Sequence, residues 1–321
     1  MQLKTSRRMF LTGATAGAGA LALPPVSSAA TPSQPQADSR FRYALNTGTI
    51  RGYKLPLAEQ IDLASRAGYT GIEPWTADLA KAAETDGKLK ELARRCADSG
   101  LAVINAIGFA GWAMNDDAAR ANGLEQMKRD MDLVAQMGGT HIAASPAGVN
   151  RPNAALLDLD RAAERYRAVL ELGRTMGVIP QLEFWGASAN LSRLDECLYV
   201  AARASHPDAC ILTDVFHLYK GGTAPASLRL LGRSAAYTLH MNDYPAQPPR
   251  ETVKDADRIW PGDGIAPIRD ILQAYLANRA DLWLSVELFN AEYWKRPADE
   301  TARTGLDKMR AVVASAVKKP V

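Results

Sequence analysis

From Phe41 onward the chain repeats one unit: a stretch of helical pattern, a glycine, and a short apolar run. Gly68 precedes Tyr69–Glu73, Gly100 precedes Leu101–Asn105, and Gly138 and Gly139 precede Thr140–Ala144. Gly177 precedes Val178–Glu183, and Gly232 stands shortly before Ala235–His240. Glycine readily adopts the left-handed conformation that closes a helix, so glycine followed at once by apolar residues marks a helix feeding a strand. Phe41–Leu45, Ala209–Thr213 and Leu282–Val286 complete eight strand candidates, with helical stretches such as Gly123–Met137 and Leu159–Met176 between them. Strands alternating with helices imply right-handed crossovers and a parallel sheet. Eight units of about 35 residues over 41–317 favour a closed α/β barrel of the (β/α)8 kind, the TIM barrel, over an open doubly wound sheet. No Gly-x-Gly-x-x-Gly follows the first strand and no Walker-type loop occurs, which weakens nucleotide-binding open sheets further. Composition does not break inside 41–317, so this span reads as one domain.

The front of the chain reads differently. Residues 1–30 contain Lys4, Arg7 and Arg8 and no acid, and so carry the whole formal net charge of +3. The remainder is charge-neutral, which removes the electrostatic argument for a nucleic-acid partner. Ser6-Arg7-Arg8-Met9-Phe10-Leu11 resembles the twin-arginine motif of bacterial signals that export folded proteins. A weakly apolar run to about Val26 and the small residues Ser27-Ser28-Ala29-Ala30 follow, as in a cleavable signal. The expectation is a signal peptide over 1–30, cleaved near Ala29 or Ala30, the twin-arginine export machinery as a partner, and a periplasmic or otherwise exported location. Residues 31–40, with Pro32 and Pro35, read as a flexible linker. The apolar run is short for a span and no Cys follows it, so no stable membrane anchor is expected. Cys96, Cys197 and Cys210 form no Cys-x-x-Cys pair and read as small buried side chains.

Active sites in such barrels lie at the C-terminal ends of the strands. Four successive apolar strands deliver one ionisable group each to that rim: Glu183, Asp214, His240 and Glu287. Three carboxylates and an imidazole at one mouth repel one another unless paired. One divalent cation resolves this, and oxygen-rich ligands with one nitrogen and no sulfur suit Mn²⁺, Mg²⁺ or Co²⁺ better than a structural zinc site. Singly, each residue could equally be a solvated carboxylate or a satisfied core histidine. Together they point to a metal site.

Gln181-Leu182-Glu183, Thr213-Asp214-Val215-Phe216-His217, His240-Met241-Asn242-Asp243 and Ser285-Val286-Glu287-Leu288-Phe289-Asn290 resemble the xylose-isomerase-like superfamily of sugar isomerases and epimerases. That group includes ketose 3-epimerases, hydroxypyruvate isomerase, inosose dehydratase and endonuclease IV. The resemblance covers 41–317 and is strongest from 178 to 290. It implies that Glu183, Asp214, His240 and Glu287 bind one Mn²⁺-like ion, and that Glu183 and Glu287 double as the acid/base pair. It implies further that His217 contacts substrate oxygens, and that Arg258, in Arg258-Ile259-Trp260-Pro261-Gly262-Asp263-Gly264, binds substrate; a surface arginine is the competing reading, because an insertion after His240 displaces this loop. Trp112 and Glu73 are candidate pocket residues, against a core aromatic and a structural carboxylate. His141 opens a strand and belongs to the stability face; His206 reads as exposed.

The chemistry implied is proton transfer at a carbon next to a carbonyl through an ene-diolate, on a small, unphosphorylated sugar or polyol. Loss of a β-hydroxyl from the same intermediate makes a dehydratase of keto-sugars or inososes the nearest alternative. A non-catalytic exported sugar-binding barrel is a third, and an endonuclease IV-type nuclease fits poorly because the chain has four histidines. The Ala/Arg-rich helices leave open a homo-oligomer.

Overall fold

A computed structural model of the chain describes residues 40–278 and 280–318. The expected signal peptide and all of the linker but Arg40 lie outside the described residues. Eight parallel strands run β1 (Phe41–Asn46), β2 (Gly71–Glu73), β3 (Ala102–Val103), β4 (His141–Ala144), β5 (Ile179–Glu183), β6 (Cys210–Asp214), β7 (Ala236–Met241) and β8 (Leu282–Val286). Their spatial order, β3-β2-β1-β8-β7-β6-β5-β4, is the circular order of a TIM barrel. At the seam between β3 and β4 the backbone N–H of Ala143 donates to the carbonyl of Ala106 (2.9 Å). β3 is shorter than the Leu101–Asn105 expected, although the N–H of Ile104 still donates to the carbonyl of Ile72 (3.1 Å) and Ile107 forms a single parallel bridge with Trp75.

Local chemistry explains the punctuation. Gly68 and Gly177 close their helices at φ of 92° and 71°, where a side chain would be strained. Asp116 and Asp158 start the helices Asp117–Gln136 and Leu159–Met176, their carboxylates accepting from the backbone N–H of Ala119 and Arg161. The main core lies between strands and helices and takes Tyr43 and Leu45 from β1. The alternate residue, Ala44, packs instead with Ile104 and Trp283 as a small cluster filling the barrel interior.

The N-terminal end of the barrel is a stacked plug. The ring of His141 lies 3.6 Å from that of Tyr237, and Trp283 Nε1 donates to the Tyr237 hydroxyl (3.1 Å). His141 therefore sits where the sequence placed it. His206 does not: it is buried, with Nδ1 accepting from the backbone N–H of Asp208, because the turn after its helix folds the ring under the next strand. The three cysteines are buried and unpaired. Among the described residues no helix is long and apolar enough to cross a membrane.

Candidate active site

Parallel register assembles the site. Asp214 ends β6 opposite His240 on β7, His240 lies opposite Ser285 on β8, and Glu287 follows β8 directly. Glu183 ends β5 beside Leu212 of β6. One ligand-capable atom each from Asp214, His240 and Glu287 falls within 4.8 Å of the others, and all three side chains are buried. Nδ1 of His240 lies 3.2 Å from Oε2 of Glu287 and 3.6 Å from Oδ2 of Asp214. Glu183 is also buried and lines the same cavity.

The surrounding polar groups hold these side chains still. Asn46, at the end of β1, donates to Glu73 Oε2 (2.9 Å) and Glu287 Oε1 (3.0 Å). Asn242 Nδ2 donates to Asp214 Oδ2 (3.1 Å), while its oxygen accepts from the N–H of Phe216 (2.8 Å). The other Asp214 oxygen accepts from the N–H of His217 (2.8 Å). Arg258 is fully buried; its Nη1 lies 2.9 Å from both Asp214 Oδ2 and Glu287 Oε2. The displaced loop thus does return to the mouth. Asp243 holds it there: its carboxylate accepts from the N–H groups of Tyr244, Gly262, Gly264 and Ala266.

Burial and charge pull the acids apart. Burial first, then repulsion from Glu287 and Asp214, outweigh the attraction of His240 and push Glu183 up to about 8. Burial also acts to raise Asp214, but Arg258 and the two imidazoles overcome it and hold that carboxyl well below the usual range. Burial acts to lower His240, yet Glu287 and Glu73 raise it well above an ordinary histidine. The cluster thus gathers several carboxylates in a dry setting, with Arg258 and His240 as the positive groups among them.

The residues present fit a divalent ion. His240 Nδ1 and Glu183 Oε2 are buried without a hydrogen-bond partner, while His240 Nε2 is committed to Glu73 Oε1 (3.1 Å). An imidazole with one nitrogen held by a carboxylate and the other aimed bare at two carboxylate oxygens is the arrangement of a metal-ligating histidine.

Above this cluster opens a cavity of about 300 Å³, lined by Glu183, His217, Arg258 and Glu287 and by the rings of Trp75, Phe109, Trp185 and Phe289. Asp214 and His240 lie beneath the lining, and the two candidate pocket residues, Trp112 and Glu73, do not line it either. Trp112 is fully buried against Tyr166 and donates through Nε1 to the carbonyl of Ser145; the chain after β3 turns back and carries it into the core. Glu73 is fully buried beneath the site, accepting from Asn46, Asn105 (2.7 Å), Ser285 (2.5 Å) and His240. The aromatic wall escaped sequence reasoning, although it carried a signal: Trp75, Trp185 and Phe289 each stand two residues past a glutamate at a strand end, Glu73, Glu183 and Glu287.

Comparison with known proteins agrees with this geometry. The model of the family described as Xylose isomerase-like TIM barrel matches residues 61–312. The chain belongs to that family. It is 24% identical over 261 residues to an inosose isomerase of Bacillus velezensis, covering 80% of this chain and 92% of the relative. It is likewise 24% identical over 258 residues to a 3-dehydroshikimate dehydratase of Pseudomonas aeruginosa, covering 78% of this chain and 39% of that longer protein. Among solved structures, that of IolI protein with a bound zinc atom superposes with a TM-score of 0.78 at 20% identity, over 87% of this chain and 100% of the other.

Proposed function

We propose that this chain is a metal-dependent isomerase or epimerase that moves a proton at a carbon next to a carbonyl in a small, unphosphorylated sugar or cyclic polyol. The observation carrying this reading is that two carboxylates, Glu183 and Glu287, line one cavity beside the gathered ligand-capable atoms of Asp214, His240 and Glu287. Glu183, Asp214, His240 and Glu287 are the ligands proposed for one divalent ion, with Mn²⁺ favoured by the oxygen-rich set and Mg²⁺ or Co²⁺ as substitutes. When bound, that ion stabilises negative charge developing on the substrate oxygens flanking the reacting carbon.

The chain's own residues do the rest. One of the two glutamates removes the proton, and the other returns one to the same carbon or its neighbour. His217 and Arg258, at the cavity wall, orient the hydroxyls. The four aromatic rings exclude water and pack against the C–H faces of a ring or short chain. The single cationic group of the described lining, Arg258, is already tied to acids, which argues against a phosphorylated substrate.

The likeness to an inosose isomerase supports a cyclic polyol ketone as substrate, and the likeness to a dehydratase supports elimination of water as the second reading. Export through the twin-arginine route, resting on Ser6–Leu11 and the small residues at 27–30, forms part of the same proposal. The test is a panel of inososes, ketoses and aldoses given to ion-loaded protein and followed by NMR and ultraviolet absorbance. An isomeric product supports the leading reading, an α,β-unsaturated carbonyl the second, and turnover of none of these classes contradicts both.

A further inference from the structure

Arg258 supplies the cation at the centre of the acidic cluster. Its Nη1 lies 2.9 Å from Asp214 Oδ2 and 2.9 Å from Glu287 Oε2, the two oxygens that face His240 Nδ1. Its other edge is held further out: Nη2 donates to Asp255 Oδ1 (2.6 Å) and lies 3.2 Å from His217 Nε2. The guanidinium also packs over the rings of Phe216 and Phe289, at 4.7 Å and 5.3 Å from their centres. Its backbone is pinned, since Ile259 and Asp243 exchange hydrogen bonds of 2.9 Å and Asn290 donates to the Arg258 carbonyl (3.1 Å).

A divalent ion held by Asp214 and Glu287 would need the two oxygens, Asp214 Oδ2 and Glu287 Oε2, that turn toward His240 Nδ1. Nη1 already holds both. Two positive groups packed there repel strongly in a buried setting. We propose that Arg258 is an internal counter-ion competing with the divalent ion for Asp214 and Glu287, so that loading requires Nη1 to release those two carboxylates while Nη2 keeps Asp255 and His217. The pinned backbone makes this a side-chain movement, and the two outer partners give it a place to rest. The guanidinium already lines the cavity beside His217, so this movement would also set where the substrate-facing arginine stands. This rests on the reading of the mouth as a divalent-ion site.

The test is Co²⁺ titration, by calorimetry and visible absorbance, of the chelator-stripped full chain and of its Arg258→Met and Arg258→Lys variants. Arg258→Met is expected to bind Co²⁺ on the order of tenfold more tightly, and Arg258→Lys also more tightly than the parent, since lysine keeps the charge but cannot fork between Asp214 and Glu287 from the same position. Stripped Arg258→Met is expected to melt below the stripped parent, with Co²⁺ narrowing that gap. Equal or weaker Co²⁺ binding by Arg258→Met would overturn the competition, as would tightening in Arg258→Met with none in Arg258→Lys, which marks a long-range charge effect. Should Arg258→Met not fold, the Arg258→Lys comparison alone decides the point in the same way. Co²⁺ bound by none of the three proteins would overturn the metal reading itself and this inference with it.

Discussion

Oε1 of Glu73, at the end of β2, lies 3.1 Å from Nε2 of His240 on β7, and both side chains are wholly shielded from solvent. The carboxylate accepts the hydrogen bond from Nε2–H and so turns the other nitrogen, Nδ1, which has no hydrogen-bond partner, toward Asp214 and Glu287. Asn46, Asn105 and Ser285 hold Glu73 in turn, which leaves it little freedom to release the ring. A buried acid that does not itself line the cavity thereby governs an atom beneath it.

Glu73→Gln keeps the shape but weakens this grip, and is expected to lower divalent-ion affinity by about 10–100-fold. Calorimetric titration of chelator-stripped protein measures it. Glu73→Ala is expected to do more damage, because four donors lose this acceptor in a dry site; a destabilisation of about 3 kcal/mol or more should be seen by urea unfolding.

Glu183 and Glu287 face the cavity as the two acid/base groups. Glu183→Gln and Glu287→Gln are each expected to cut turnover by about 10²–10⁴-fold while far-ultraviolet circular dichroism stays unchanged. Because both are proposed ion ligands, turnover is to be compared at saturating ion, which separates lost proton transfer from lost binding.

Gly264 is tucked under the Asp243 clamp, where an added Cβ would lie 2.2 Å from the Tyr244 carbonyl oxygen and 2.4 Å from Asp243 Oδ1. Gly264→Ala must push the clamp open and shift the loop that carries Arg258. The expected result is a loss of about 1–3 kcal/mol in stability with a turnover loss more than about tenfold. Steady-state kinetics beside thermal melting read both.

His141 is far from the mouth and reports on pH through stability alone. Burial holds its imidazole down to about 4, against 6.5 ordinarily. The folded state thus prefers the neutral ring, so the stability it contributes is full above pH 6.5 and is lost as pH falls toward 4. His141→Phe preserves the stack on Tyr237 and removes the titration. The parent is expected to lose on the order of 2 kcal/mol more than the variant between pH 7.5 and 4.5, measured by urea unfolding at each pH.

The eight-fold unit was legible because helix closure and strand onset leave a local mark, a glycine followed by apolar residues, as at Gly68 and Gly177. The rim residues Glu183, Asp214, His240 and Glu287 were legible for a related reason: a polar residue closing an apolar strand stands out. What lay below the rim was not. Glu73 is a strand-end glutamate like the others, and only the curling of β1, β2 and β8 shows that Asn46, Asn105 and Ser285 close around it. Arg258 was legible from its loop motif, but the insertion after His240 left a surface arginine as the competing reading, since the antiparallel pairing of Asp243 with Ile259 that returns the loop has no periodic signature. Trp112 misled because an aromatic just past a strand reads alike whether the loop runs outward to the mouth or back into the core.

The central claim is proton transfer at a carbon beside a carbonyl, carried out by Glu183 and Glu287. The most direct measurement is NMR of an inosose and ketose panel incubated with ion-loaded protein in D₂O, with Glu183→Gln alongside. The account predicts deuterium entering a carbon next to the carbonyl of at least one substrate, and loss of that exchange in Glu183→Gln. Exchange at no carbon with any substrate, or exchange unaffected by Glu183→Gln, would contradict it.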